Sequence, residues 1–214
     1  MPQTLLKATE PANAQIRHYG PGDPERARVE GFIRRIYAER FQAQVKEFAP
    51  VLVGLHDREG TLLAAAGYRA ADAGPLFLER YLNQPVEQML RGPAATPEQR
   101  QGIVEVGHLA SDRAGEGRRL ILLLGPLLAA AGFEWVVSTL TQELRHLFVR
   151  MGVAPLALGY ADPALLGHAA TDWGCYYDHQ PVVLAGQIPV ALKALNRRGE
   201  LHAGLRVELD GVVT

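Results

Sequence analysis

The chain has 214 residues, of which 48% are apolar, enough for one large domain with a sizeable core. A formal net charge of -1 excludes the basic excess of a dedicated nucleic-acid binder, and a single cysteine, Cys175, excludes an internal disulfide. The opening stretch MPQTLLKATEPANAQ lacks the apolar core of a secretory signal. The longest apolar run, LILLLGPLLAAAGF (120–133), falls short of the roughly 20 residues that span a bilayer, so a soluble, cytoplasmic protein without membrane insertion is expected.

In chain order, QIRHYG (15–20) alternates weakly and reads as a first strand. PGDPERARVE opens a helix, with Asp23 as N-cap and Pro24 at the first helical position. Val29, Ile33, Ile36, Tyr37, Phe41, Val45 and Phe48 keep helical spacing and form a stripe suited to packing on a sheet. Two apolar runs then flank DREG, which predicts a hairpin of strands 51–57 and 61–69. The stretch 74–101 breaks this regularity. Two short amphipathic pieces, interrupted by Asn83 and Pro85, precede the loop-like RGPAATPEQRQG, so the stretch reads as a helical insertion over the core.

A strand at 102–110, a helix from about 115 to 131 and a strand at 134–140 follow. TQELRHLFVRMG is a helix capped by Thr141 and ended by Gly152. Strands are expected at 155–161 and 181–187, and IPVALKALNRR closes as a helix within a C-terminal extension, 181–214. No internal repeat is visible. Strand–helix–strand units need a crossover and make parallel neighbours, while the hairpin is antiparallel. An α/β (α+β) domain with a mixed sheet and helices on both faces is the expected architecture.

The strand IVEVGHLAS carries an acid, Glu105, in an apolar run. Alternate residues share a face, which puts Glu105 with Ile103, Gly107 and Leu109, and His108 with Val104 and Val106. An ionised carboxylate in an apolar interior must find a partner, a proton or a cleft. Glu105 is therefore either a general base whose pKa is raised by burial, or half of an ion pair with Arg69 on the hairpin.

The order of elements resembles the GNAT acyltransferase fold, which implies a mainly antiparallel, twisted sheet with a V-shaped cleft at its central strands. In that fold a turn after the central strand holds the pyrophosphate of coenzyme A on free N–H groups at a helix N-terminus. Here the turn is SDRAGEGRRL, offering Asp112, Arg113, Gly115, Gly117 and Arg118, with an acid at the position where the family pattern has Gln or Arg. Gly107, His108 and Leu109 would lie along the donor and offer an oxyanion contact through the backbone.

AAGYRAA, PLFLERYLNQPVE, IVEVGHLAS, GFEWVVSTLTQELRHLFVRMGVAPLALGYADP and DWGCYYDHQPVV together resemble the thermostable hemolysin family. That family is similar to the GNAT-like autoinducer (acyl-homoserine-lactone) synthases and N-acyl amino acid synthases. The resemblance implies transfer of a fatty acyl group from an acyl-CoA or acyl-carrier-protein thioester to a small amine. It also supports Glu105 as the base.

Tyr177 or Tyr176 would protonate the leaving thiolate, or serve with Trp173 as a wall. Arg113, Arg118 and Arg119 crowd a helix start, a poor place for cations unless an anion binds. His108 reads as a hydrogen-bonded cleft residue, or as a base. Cys175 has no basic group to activate it, and no His or Cys stands at metal spacing, so no metal is expected. The insertion carries Leu76, Phe77, Leu78, Tyr81, Leu82, Val86, Met89 and Leu90, apolar surface that would wall a tunnel for a fatty chain, pack on the core or form a subunit contact. With Arg69 and Trp173, Phe77, Tyr81 and Leu82 are the candidate substrate contacts. The rival functions are a catalytically silent acyl-thioester or lipid binder and a membrane-lytic protein.

Overall fold

The computed structural model describes residues 14–92 and 97–201. Residues 1–13 of the N-terminal stretch read for a signal, part of the insertion's loop and the end of the C-terminal extension lie outside the described residues.

Seven strands form one sheet: β1 (Gln15–Tyr19), β2 (Val51–His56), β3 (Leu62–Ala70), β4 (Ile103–Ser111), β5 (Trp135–Leu140), β6 (Leu156–Tyr160) and β7 (Val182–Gln187), in the order β1-β2-β3-β4-β5-β7-β6. The β4–β5 pair is parallel, and every other described pair is antiparallel. β7, which the sequence places in a C-terminal extension, is interleaved between β5 and β6 and paired on both sides.

Period-two alternation sends neighbouring side chains to opposite faces. Leu52 and Ala65 pack under helix α1 (Arg26–Phe41), while Val53, Ala64, Ala66 and Val104 pack under α3 (Glu116–Ala130) and α5 (Ile188–Arg197). The α1 stripe is shorter than its spacing suggests. The helix stops at Phe41 because Gln42 takes a left-handed C-cap (φ 55). Val45 and Phe48 then sit in the connector to β2, which is held by Gln44 N–H donating to Asp172 O (2.6 Å). Gly174, at φ 51, lies against the same end, where a Cβ would come within 2.1 Å of Phe41 O.

The insertion folds as tight turns around Phe77–Tyr81 and a short helix, α2 (Val86–Arg91). Leu76, Leu78, Tyr81 and Val86 are buried against Ile103, Val137 and Val183. Arg100 fastens it, donating to Glu79 Oε1 (2.8 Å), Glu87 Oε2 (2.5 Å) and the Ala71 carbonyl (2.9 Å). Burial alone would push the Glu79 carboxyl up. Arg100 and the N–H groups of Val86 and Leu76 hold it below its ordinary range. Helix α4 (Gln142–Arg150) starts at Thr141, whose Oγ1 accepts from Leu144 N–H (3.5 Å).

Candidate active site

β4 and β5 pair only from Ile103–Trp135 to Glu105–Val137. Beyond that point β4 stays with β3 and β5 with β7, so the parallel pair splays into a V. At the opening, β4 carries a bulge: Ala65 opposes Ala110 and Gly67 opposes Gly107, which leaves one β3 residue facing both His108 and Leu109. His108 absorbs the extra residue at φ 55, a conformation rare for a side chain with Cβ. The bulge corrects the simple alternation. His108 turns to the face of Glu105, where its ring packs against Phe48 with centroids 5.4 Å apart and planes tilted by 35°.

Two cavities meet at this gap. The larger, about 630 Å³, is lined by Gly107, His108, Leu109, Asp112, Arg113, Gly115, Gly117 and Arg118, all singled out from the sequence. It runs inward between α3, α4 and α5 past Leu124, Leu128, Phe148, Leu192 and Leu195. The smaller, about 190 Å³, gathers Arg69, Phe77, Tyr81, Glu105 and Trp173. Val106, Gly107, His108, Thr139 and Tyr176 line both cavities. Leu82 and Tyr177 line neither. Leu82 packs toward β6 beside Gly159, and Tyr177 shares a 2.6 Å hydrogen bond with Tyr81 that ties the insertion to the segment Tyr176–His179.

Glu105 makes no ion pair with Arg69. Arg69 is its cross-strand partner but donates to Pro75 O (3.1 Å). The two carboxylate oxygens instead accept the N–H groups of Phe77 (2.8 Å) and Leu78 (2.9 Å) at the start of the insertion's first turn. Burial raises the Glu105 pKa, opposed by those two N–H groups and by the Arg69 charge. Each oxygen keeps a second lone pair. His108 Nε2 lies 3.1 Å from Glu47 O, while its Nδ1 is buried without a partner. Desolvation lowers its pKa to about 4, against the pull of the Glu47 carbonyl and with help from the Arg69 and Arg26 charges.

At the turn, Gly115 takes φ 91 and α3 begins at Glu116. Among the described residues no protein group accepts from the N–H of Gly115, Gly117 or Arg118. The arginines are partly occupied. Arg118 pairs with Glu200, Arg40 with Glu143, and Arg35 reaches Asp112 at 3.3 Å. Arg113 is exposed and forms no ion pair among the described residues.

Tyr176 is buried in the gap and donates to Thr139 O (3.2 Å), and burial raises its pKa well above the ordinary value. The Tyr177 hydroxyl is also raised by burial, with Tyr81 and Arg80 opposing. Cys175 N–H docks on Phe41 O (2.8 Å). Thr139 was missed from sequence: its Oγ1 is buried without a partner at the junction. The adjacent polar pair Ser138-Thr139 inside the apolar run EWVVSTL was the available signal. Among the described residues no group of three or more His, Cys, Asp or Glu is placed to hold a metal. No helix there is long and apolar enough to cross a membrane.

The fold is similar to that of BjaI, a CoA-dependent acyl-homoserine lactone synthase solved with SAM and isopentyl-CoA (15% identity, TM-score 0.62, covering 94% of this chain and 96% of that one). It is also similar to FeeM, an N-acyl amino acid synthase from uncultured soil microbes (14%, 0.61, 84% and 93%). TofI, solved in a ternary complex with an inhibitor and MTA, is a third such neighbour (17%, 0.57, 85% and 96%). At these identities the likeness is one of fold, and it places the sheet and its cleft in the GNAT-like class. No curated protein matches the chain in sequence. The model of one sequence family does match, over residues 19–192, and the chain with its splayed central strands belongs to that family, the thermostable hemolysins.

Proposed function

We propose that the protein is an acyltransferase that moves a fatty acyl group from a thioester of CoA or acyl carrier protein to a small amine. The carrying observation is that two cavities of different character meet across the β4–β5 opening. One has a turn with unengaged N–H groups at its mouth and an apolar interior. The other holds a carboxylate. A thioester entering the first would place its carrier phosphates on residues 112–118 and its acyl chain between α3, α4 and α5. The apolar insertion, expected to wall that chain, borders the other cavity.

The amine attacks the thioester carbonyl directly from the smaller cavity. The C–N bond forms, the nitrogen's proton passes to the Glu105 carboxylate, and the C–S bond breaks to release thiolate. Burial raises both pKa values. It makes Glu105 a stronger base, while it keeps Tyr176 protonated and makes it a weaker acid, a hydrogen-bond donor to the thiolate once its hydroxyl leaves Thr139 O. Tyr176 spans both cavities and is therefore the better donor to the thiolate than Tyr177. Backbone N–H groups around the His108 bulge would meet the developing oxyanion, a role the irregular φ of 55 at His108 supports. Likeness of fold to an acyl-homoserine lactone synthase and an N-acyl amino acid synthase supports this reading.

The test is production in a bacterial host with mass spectrometry of the lipid extract, paired with thiol release by purified protein from acyl-CoA and acyl-carrier-protein donors. N-acylated lipid that appears with wild type and not with Glu105→Gln supports the reading. Donor binding without thiol release under any amine would make the protein a silent binder.

A further inference from the structure

His108 has no assigned part in the transfer above, yet its geometry is specific. The Glu47 carbonyl can only accept, so the contact at 3.1 Å fixes the hydrogen on Nε2. Nδ1 then carries a lone pair, and no protein group donates to it. It lies over Gly67 on the wall of the smaller cavity, close enough that a Cβ on Gly67 would sit 3.3 Å away. A buried acceptor without a donor costs free energy unless a ligand supplies one. The lowered pKa, about 4, keeps the ring neutral at pH 7 and that lone pair available. The bulge puts this acceptor on the face of Glu105, three positions along the strand from it.

We propose that Glu105 and His108 are a pair of acceptors for the two hydrogens of one nucleophilic nitrogen, so that the site selects a primary amine over secondary amines and alcohols. The inference rests on the acyltransferase reading and adds to it the class of nucleophile. One N–H points to a Glu105 oxygen and is lost as a proton when the nitrogen attacks the thioester carbon. The other points to His108 Nδ1, orients the nitrogen lone pair toward the carbonyl, and remains as the amide N–H of the product. The thiolate released by C–S cleavage takes up a proton, so an amine and a thioester give an amide and a thiol. An N-methyl amine has one hydrogen for two acceptors and presses a methyl group on Nδ1, and an alcohol also has only one.

The experiment measures thiol release from dodecanoyl-CoA with primary amino acids and amino alcohols, each beside its N-methyl and hydroxy analogues. Wild type should favour the primary amine by about ten-fold or more, the worth of one buried hydrogen bond. His108→Phe keeps the ring on Phe48 and should slow the primary amine alone, bringing the ratio near unity. A ratio unmoved by His108→Phe overturns the inference and leaves the acyltransferase reading standing. No thiol release by wild type with any amine overturns both. Should the variant fail to fold, nitrogen NMR of the wild-type imidazole decides independently. An Nε2–H tautomer with bare Nδ1 at pH 7 supports the pair, and a proton on Nδ1 overturns it.

Discussion

Replacing Glu105 with glutamine tests the centre of the proposed chemistry, and the structure sets what else the change does. Each carboxylate oxygen accepts one insertion N–H, at 2.8 and 2.9 Å. Glutamine offers one oxygen and turns an NH₂ toward the other N–H, leaving one buried donor unmet at about 1–3 kcal/mol. An opposing effect acts on the charge. Burial raises the Glu105 pKa in the folded protein, so the group contributes stability only while protonated and loses it as pH rises through that pKa. Near neutral pH glutamine removes this penalty, so the net change in stability should be smaller than the hydrogen-bond loss alone. The Arg100 network, untouched, keeps the insertion in place. Turnover should nevertheless fall by about 10²–10⁴, because an amide cannot take the amine's proton. Thiol release reads the rate, urea unfolding the stability, and amide exchange at Phe77 and Leu78 the insertion. Wild-type turnover in Glu105→Gln would refute the base. A slow variant whose insertion has lost exchange protection would reassign the carboxylate to holding that segment. In wild type, the acid limb of the rate profile should lie above the ordinary carboxylate range, with activity lost as pH falls through it.

Arg100→Met leaves Glu79 and Glu87 buried without their counter-charge and should cost about 3–5 kcal/mol in chemical denaturation, and an unchanged midpoint would show the network to be idle. Coenzyme A should raise the melting temperature, Arg113→Glu with Arg118→Glu should abolish the shift, and Glu200→Gln should enlarge it by freeing Arg118. No shift with any CoA thioester in wild type would remove the turn as a CoA phosphate site and point to acyl carrier protein or to no donor. Leu192→Trp should shorten the preferred acyl chain in a series from acetyl to dodecanoyl, at up to about 0.8 kcal/mol or roughly four-fold per methylene lost, while Leu82→Trp should not. A flat response to chain length in wild type would leave the apolar cavity without an acyl role.

Local signals carried much of the architecture. The strands followed apolar runs, Thr141 announced α4, and Glu105 stood out because a carboxylate in an apolar strand must be accounted for. What escaped depends on contacts between distant segments. Period-two parity placed His108 opposite Glu105. The bulge that reverses it needs a left-handed non-glycine residue, which no local pattern demands. The helical stripe from Val29 ran on to Phe48, but docking of residues 172–175 on Phe41 and Gln44 ends the helix earlier. Nothing in the sequence singled out Arg100, Glu79 and Glu87, because their burial exists only once the insertion has closed on them. Apolar residues report burial without naming the neighbour. The insertion's residues therefore looked fit to wall a tunnel, while the residues lining the larger cavity came from α3, α4 and α5.

The position of the chemistry follows from where pairing stops. Up to Glu105–Val137 the β4–β5 ladder is closed, and a side chain on either strand reaches only its own face of the sheet. One residue further the ladder opens, and Val106, Gly107 and His108 border both cavities. Glu105 thus stands at the last closed rung, held on the insertion's face by the N–H groups of Phe77 and Leu78. Val104 and Leu109 face the α3 side, where an acyl chain would lie. A regular strand would have carried His108 to that side too, into the path proposed for the donor. The bulge costs a strained φ at one residue and in return sets a neutral acceptor beside the carboxylate. Strain of this kind persists only where surrounding contacts fix it. Here those contacts are the Glu47 carbonyl and the Phe48 ring, both from the connector that follows the early end of α1.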